Sequence, residues 1–185
     1  MSRNEVVSSA SEELILVDEH DREIGARSKS ECHSGSGILH RAFSIFVFNG
    51  ENELLLQQRS PDKPLWPGYW SNSCCSHPRR GESMDQAVTR RLVQELGFEC
   101  PLHYLYKFTY HARYGAAGAE HEYCWVYHGR YDGEIDANMN EVAGWRFVGA
   151  AALDEELQSQ PQRFTPWFKM EWAHIRENFM DEITG

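Results

Sequence analysis

Cys75 stands within the run Ser73-Cys74-Cys75-Ser76-His77, with an imidazole two residues on and Arg79 and Arg80 close behind. Such neighbours can lower a thiol's pKa and fit it for work as acid, base or nucleophile. The plain alternative is a small buried apolar residue, a common fate of free cysteine, and the adjacent Cys74 suits that description. A second group is rich in metal-ligating types: His33, His40, His77 and the pair Glu120-x-Glu122. Residues i and i+2 of a strand share a face, so both carboxylates can address one ion. Three imidazoles with two carboxylates suit Zn²⁺ or Mn²⁺. Against this, nine histidines in 185 residues will scatter by chance, and no short His-His signature ties these three together. The third group is basic: Lys29, Arg59, Lys63, Arg90 and Arg91. Each alone reads as solvated surface charge, yet forked guanidinium groups with an ammonium are what a diphosphate demands.

The stretch from Trp66 to Phe98 must position much of this chemistry. It opens as a Trp/Pro/Gly-rich loop, passes the Cys-Cys-Ser-His-Pro segment and turns at Arg80-Gly81. It then becomes a helix with Ser83 at its N-cap that stops before Gly97. Ala87, Val88, Leu92, Val93 and Leu96 supply an apolar stripe, which assigns Arg90, Arg91 and Glu95 to other faces. Residues 1–12 read as a flexible tail, and 13–185 as a single domain. Strands are expected over 13–18, 39–49 and 53–59, the last two joined by a turn at Gly50-Glu51-Asn52. Residues 29–37 and 60–67 read as loops. Further strands fall within 101–113 and over 120–130 and 145–148, with helices at 150–157 and 166–179. This order predicts an α/β sandwich around a mixed sheet.

A formal net charge of −10 speaks against nucleic acid or an anionic membrane as the main partner. Any anionic ligand must therefore be caught by a local basic cluster. The first residues lack the apolar run of a signal peptide, and no stretch reaches the length of a membrane span. Five cysteines, an odd number, fit a reduced compartment better than a disulfide framework, so the expected location is the cytoplasm. The oligomeric state is not legible.

The loop and helix resemble the Nudix box, G-x5-E-x7-R-E-U-x-E-E-x-G-U. Ser76 falls at the first Gly, and Glu82, Arg90, Leu92, Glu95, Gly97 and Phe98 match their consensus types. Arg91 and Gln94 stand where a hydrolase of that kind carries Glu. Clustered carboxylates on one helix face hold the Mg²⁺ ions that activate water. With those acids depleted, the helix is expected to bind a diphosphate better than it cleaves one.

A more specific likeness covers residues 14–172. The run R-S-P-D-K-P-L-W-P-G-Y-W-S-N-S-C-C-S-H-P, the G-E-S before the helix, the E-H-E on a later strand and F-T-P-W near the end closely resemble the type I isopentenyl-diphosphate isomerases. The resemblance implies a Nudix-like α/β/α sandwich and conversion of isopentenyl to dimethylallyl diphosphate. It further implies that Cys75 and Glu122 form the acid–base pair, that Tyr110 hydrogen-bonds near Glu122 and that Trp167 lies beside the hydrocarbon. Lys29, Arg59, Lys63 and Arg91 would grip the diphosphate. His33, His40, His77, Glu120 and Glu122 would hold Mn²⁺ or Zn²⁺, and Glu95 with the Cys75 carbonyl would hold Mg²⁺. Ser76 replaces a Gly after the cysteine and His121 separates the glutamates, but neither change removes a functional group. A Nudix-type diphosphohydrolase and a noncatalytic metal- or diphosphate-binding domain are the alternatives.

Overall fold

The computed structural model describes residues 6–185. Its centre is β3 (His40–Phe48), whose nine residues alternate between two interiors. Ala42, Phe46 and Phe48 enter one core; Phe43, Ile45 and Val47 enter the other. Strand alternation thus builds both cores from a single segment. Each fully buried large apolar side chain contributes about 1.5–3 kcal/mol relative to exposure.

One edge of β3 pairs in parallel with β8 (Gly118–Arg130) from His40↔Glu122 to Phe48↔Arg130. Antiparallel contacts join β3 to β1 (Glu13–Val17), to β4 (Leu54–Arg59) and to β6 (Cys74–Ser76). The strand returning after the Gly50 turn forms as expected, but it leaves β3 after the Phe48↔Leu54 pair. It continues instead against β9 (Val142–Val148) and the short β5 (Trp70–Ser71). β2 (Glu23–Ser28) extends the sheet beyond β1, and β7 (Leu102–Tyr114) does so beyond β8.

Helices cover both faces. α2 (Met84–Leu96) begins at a capping box in which Ser83 and Gln86 bond each other's backbone N–H, and it ends at Gly97 in the left-handed region at φ 79°. Ala87, Val88, Leu92 and Leu96 of α2 pack on the Phe43 face. Val93, assigned to the apolar stripe, is instead 40% exposed. Arg91 and Glu95, assigned to other faces, are buried and ion-paired to each other. On the Phe46 face lies α4 (Pro166–Asn178), bringing Trp167, Phe168, Trp172 and Ile175. It is preceded by α3 (Ala150–Ser159) and followed by α5 (Met180–Thr184).

The expected loop at 29–37 begins as a short helix, α1 (Lys29–His33), because Ser28 and Glu31 form a capping box. Part of the tail expected over 1–12 lies outside the described residues, at positions 1–5. Within it, the Ala10 carbonyl accepts from the Ser30 N–H at 3.0 Å and the Glu12 carbonyl from the Lys29 N–H at 2.8 Å.

Candidate active site

Four separated segments converge on one cluster. α1 carries His33, β3 starts with His40, His77 follows β6, and β8 contributes Glu120 and Glu122. The parallel β3–β8 register places His40 directly across from Glu122. One ligand atom from each of the five lies within 4.8 Å of all the others. Backbone carbonyls orient two rings. Nδ1–H of His33 donates to Lys29 O at 2.8 Å, and Nδ1–H of His40 donates to Ile38 O at 2.7 Å. A carbonyl can only accept, so each ring must place its proton on Nδ1 and turn Nε2 to the cluster.

Those inward nitrogens have no hydrogen-bond partner, and neither has Oε2 of Glu120, although His33 Nε2 and Glu120 Oε2 approach to 2.7 Å. Lone pairs this close need a proton or a metal ion between them: burial opposes a charged His33, but the Glu120 carboxylate outweighs it and raises the imidazole pKa. Buried polar atoms left without partners call for the same explanation. The donor set therefore fits a divalent metal ion, which His33, His40, His77, Glu120 and Glu122 can hold. Burial, helped by the neighbouring His40 and Lys29, keeps His77 well below the ordinary imidazole range, in the neutral form that ligates. Burial raises Glu122, but the His40 ring 3.7 Å away and the Tyr110 hydroxyl outweigh it and hold the carboxyl below its usual value.

Beside the cluster is a cavity of about 400 Å³, within the range of small-ligand sites. Cys75, Tyr110, Glu122 and Trp167 line it. Tyr110 on β7 stands opposite Glu122 in the ladder and donates to its Oε2 at 2.6 Å. Trp167, in the first turn of α4, meets Trp66 edge-to-face at 5.2 Å and stacks on Tyr110 at 6.1 Å. Alternation along β6 separates the adjacent cysteines: Cys74 enters the α2 core while Cys75 packs against the other. The sequence suggested a lowered thiol pKa. Burial instead pushes Cys75 up to about 12, despite the Arg59 guanidinium 4.0 Å away. Arg79 pairs with Glu12 rather than with Cys75. A thiol in this state keeps its proton near neutral pH and is a poor nucleophile.

Lys29, Arg59, Lys63 and Arg91 line the same cavity. Arg59 donates to the carbonyls of Trp66 at 3.0 Å and Leu65 at 2.8 Å, which fixes its plane 5.3 Å from the Trp167 ring centroid. Burial, reinforced by Lys63 and Arg91, brings Lys29 down to about 8. Four cationic side chains lining one cavity suit a polyanion. Glu95 lies apart from the His/Glu cluster: its Oε1 accepts from Arg91 and its Oε2 from Gln57 at 3.1 Å. With both oxygens engaged by protein donors, it fits a metal less well than the cluster does.

Two buried acids near the site, Glu141 and Glu171, escaped the sequence reading. Glu141 pairs with Lys63 and lies 3.6 Å from Arg91. Glu171, one helical turn beyond Trp167, accepts from the Cys124 thiol at 3.5 Å, and burial pushes it up to about 8. No motif spacing marks either one; burial of an acid is a property of the fold.

The NUDIX domain family model matches residues 38–168. The chain is 43% identical over 175 residues to isopentenyl-diphosphate Delta-isomerase 1 of Photorhabdus laumondii, covering 93% of this chain and 99% of that one. It is 46% identical over 157 residues to the isopentenyl-diphosphate Delta-isomerase of Burkholderia multivorans, covering 85% and 89%. Among solved structures it resembles DR0079 from Deinococcus radiodurans, with a TM-score of 0.67 at 22% identity over 80% of this chain and 90% of that one. A MutT protein from Methanosarcina mazei gives a TM-score of 0.63 at 16% identity over 76% and 96%. These structural likenesses show the fold. The close, nearly full-length relatives show more: the chain belongs to the isopentenyl-diphosphate Delta-isomerase family, on a NUDIX fold.

Proposed function

We propose that the chain moves the double bond of isopentenyl diphosphate to give dimethylallyl diphosphate, by protonation and deprotonation through a carbocation-like intermediate. One observation carries this reading: a single cavity is lined by a thiol, a carboxylate, an indole and four cationic side chains. Lys29, Arg59, Lys63 and Arg91 hold the diphosphate, leaving the five-carbon unit among Cys75, Tyr110, Glu122 and Trp167. A proton added to the terminal methylene leaves a tertiary cation, and loss of a proton from the carbon nearer the diphosphate forms the product. Cys75 and Glu122 serve these two transfers. Tyr110, raised well above its ordinary pKa by burial and the Glu122 charge, keeps its proton and steadies that carboxylate. The Trp167 face stabilises the cation, a cation–π effect of about 2 kcal/mol when desolvated, and the aromatic wall keeps out water that would trap it.

Mn²⁺ or Zn²⁺ suits the His/Glu cluster, where it would fix Glu122 in place and moderate its basicity. Mg²⁺ would enter with the diphosphate; because Arg91 and Gln57 already engage Glu95, no step is derived through an ion there. Five free cysteines accord with a cytoplasmic location. No helix among the described residues is long and apolar enough to cross a membrane.

The test is a proton and phosphorus NMR time course with isopentenyl diphosphate in heavy water containing Mg²⁺ and Mn²⁺. Deuterated dimethylallyl diphosphate with its diphosphate intact is the expected product. Release of phosphate, or no change at all, overturns the assignment.

A further inference from the structure

Glu141 is a buried acid that the proposed reaction leaves unused. It sits just before β9, its N–H donating to Asn138 O at 2.9 Å and its carbonyl accepting from the Ser60 N–H at 3.0 Å. The side chain is divided between two tasks. Oε1 accepts from the N–H groups of Val7 and Ser8, each at 3.1 Å. Oε2 accepts from the Ser8 hydroxyl at 3.1 Å and from the Lys63 ammonium, with Arg91 Nη2 3.6 Å away. Arg91 also grips the same segment, donating to Val7 O at 3.1 Å and to the Ser8 hydroxyl at 3.2 Å.

Ser8 and Ala10 line the cavity with Lys29, Lys63 and Arg91, whereas Glu141 stands outside that lining. A carboxylate present only to neutralise the buried Arg91 and the half-buried Lys63 would have no need of two amides from the segment at residues 7–8. Burial raises its pKa, but Lys63 and Arg91 outweigh that and hold it at about 2, so it is an anion throughout the working range.

We propose that Glu141 is a positioning residue for the substrate diphosphate. From behind, it holds Lys63 and Arg91 in the cavity wall; in front, it latches segment 7–12 across them as the last wall of the subsite. This rests on the isomerase reading for its substrate, though not for the latch itself. The segment belongs to no strand ladder and is held by side chains and by two backbone bonds to α1, so it opens locally more readily than the sheet. It can therefore admit a diphosphate and close behind it.

The experiment pairs amide hydrogen exchange with steady-state kinetics. In the wild-type protein, saturating inorganic diphosphate with Mg²⁺ is expected to slow exchange over residues 7–12. Glu141→Gln should speed that exchange, abolish the slowing by diphosphate and raise KM for isopentenyl diphosphate by about tenfold, the loss expected for a charged hydrogen bond. Its kcat should stay within about twofold. Should Glu141→Gln fail to fold, Ser8→Pro removes one latch donor and its hydroxyl without touching the core, and the same pattern is expected. Unchanged KM in the folded variant overturns the proposal, as does a raised KM with wild-type exchange over 7–12. If the wild-type protein slows exchange with diphosphate but fails to turn over the substrate, the reaction assignment falls while the latch stands.

Discussion

Cys75 and Glu122 face the same cavity in different protonation states, one held as a thiol and the other as a carboxylate. That asymmetry suits a donor and an acceptor of protons. Cys75→Ser or Glu122→Gln is expected to lower kcat by about a thousandfold, while calorimetric affinity for inorganic diphosphate stays near wild type. Turnover within tenfold of wild type would remove the role. Trp167→Leu should reduce kcat by about 30-fold, the kinetic equivalent of the ~2 kcal/mol cation–π effect, with little change in KM. An unaltered kcat would exclude that stabilisation. Glu171 bears on stability. Burial raises its folded pKa to about 8, above the ordinary 4.5. The folded state therefore binds more protons between those values, and its stability falls as pH rises from about 4.5 to about 8. Glu171→Gln removes that slope. In urea titrations, the variant should gain on wild type between pH 5 and pH 8, and parallel profiles would contradict the assignment.

Among the elements, α2 depends on its final glycine. A Cβ at Gly97 would lie 2.6 Å from the carbonyl oxygen of Asp136, at a φ that other residues adopt only with strain. Gly97→Ala should cost about 2 kcal/mol and lower Tm by roughly 4–8 °C; a Tm within 1 °C of wild type, by calorimetry at about pH 7, would show that the loop yields. This helix was legible because Ser83, the apolar stripe and Gly97 announce it locally. The same reading failed for Arg91 and Glu95, since a charged residue is assigned outward unless its partner is known, and their partners arrive from the chain's start and from Gln57. β2 escaped notice because Glu23–Ser28 has little apolar alternation and borders the sheet through β1 alone. β5 and β6, two and three residues long, are too short to show a period. Some side chains of the site were easier to name: His77 falls in the S-C-C-S-H-P run and Glu120 and Glu122 in E-H-E, while the resemblance supplied His33 and His40, and the fold brings one donor atom of each within 4.8 Å of the others.

Across the whole molecule, the cluster joins α1, β3, the end of β6 and β8. His33 Nε2 and Glu120 Oε2 are held 2.7 Å apart there, both buried and without hydrogen-bond partners. Removing metal with a chelator should therefore lower Tm as well as activity. Restoring Mn²⁺ or Zn²⁺ at 100 times its Kd adds about 2.7 kcal/mol, a gain of roughly 5–10 °C. An identical Tm with and without metal would place the ion elsewhere. The ligands span residues 33 to 122, and β8 reaches β3 only as a parallel partner distant in sequence. During biosynthesis, the first three ligands emerge long before the last two, and His40 cannot face Glu122 until β8 has been made and docked. Capture of an ion by these five side chains would therefore wait for β8, and scarcity of the ion would be felt by chains whose central strands are already paired.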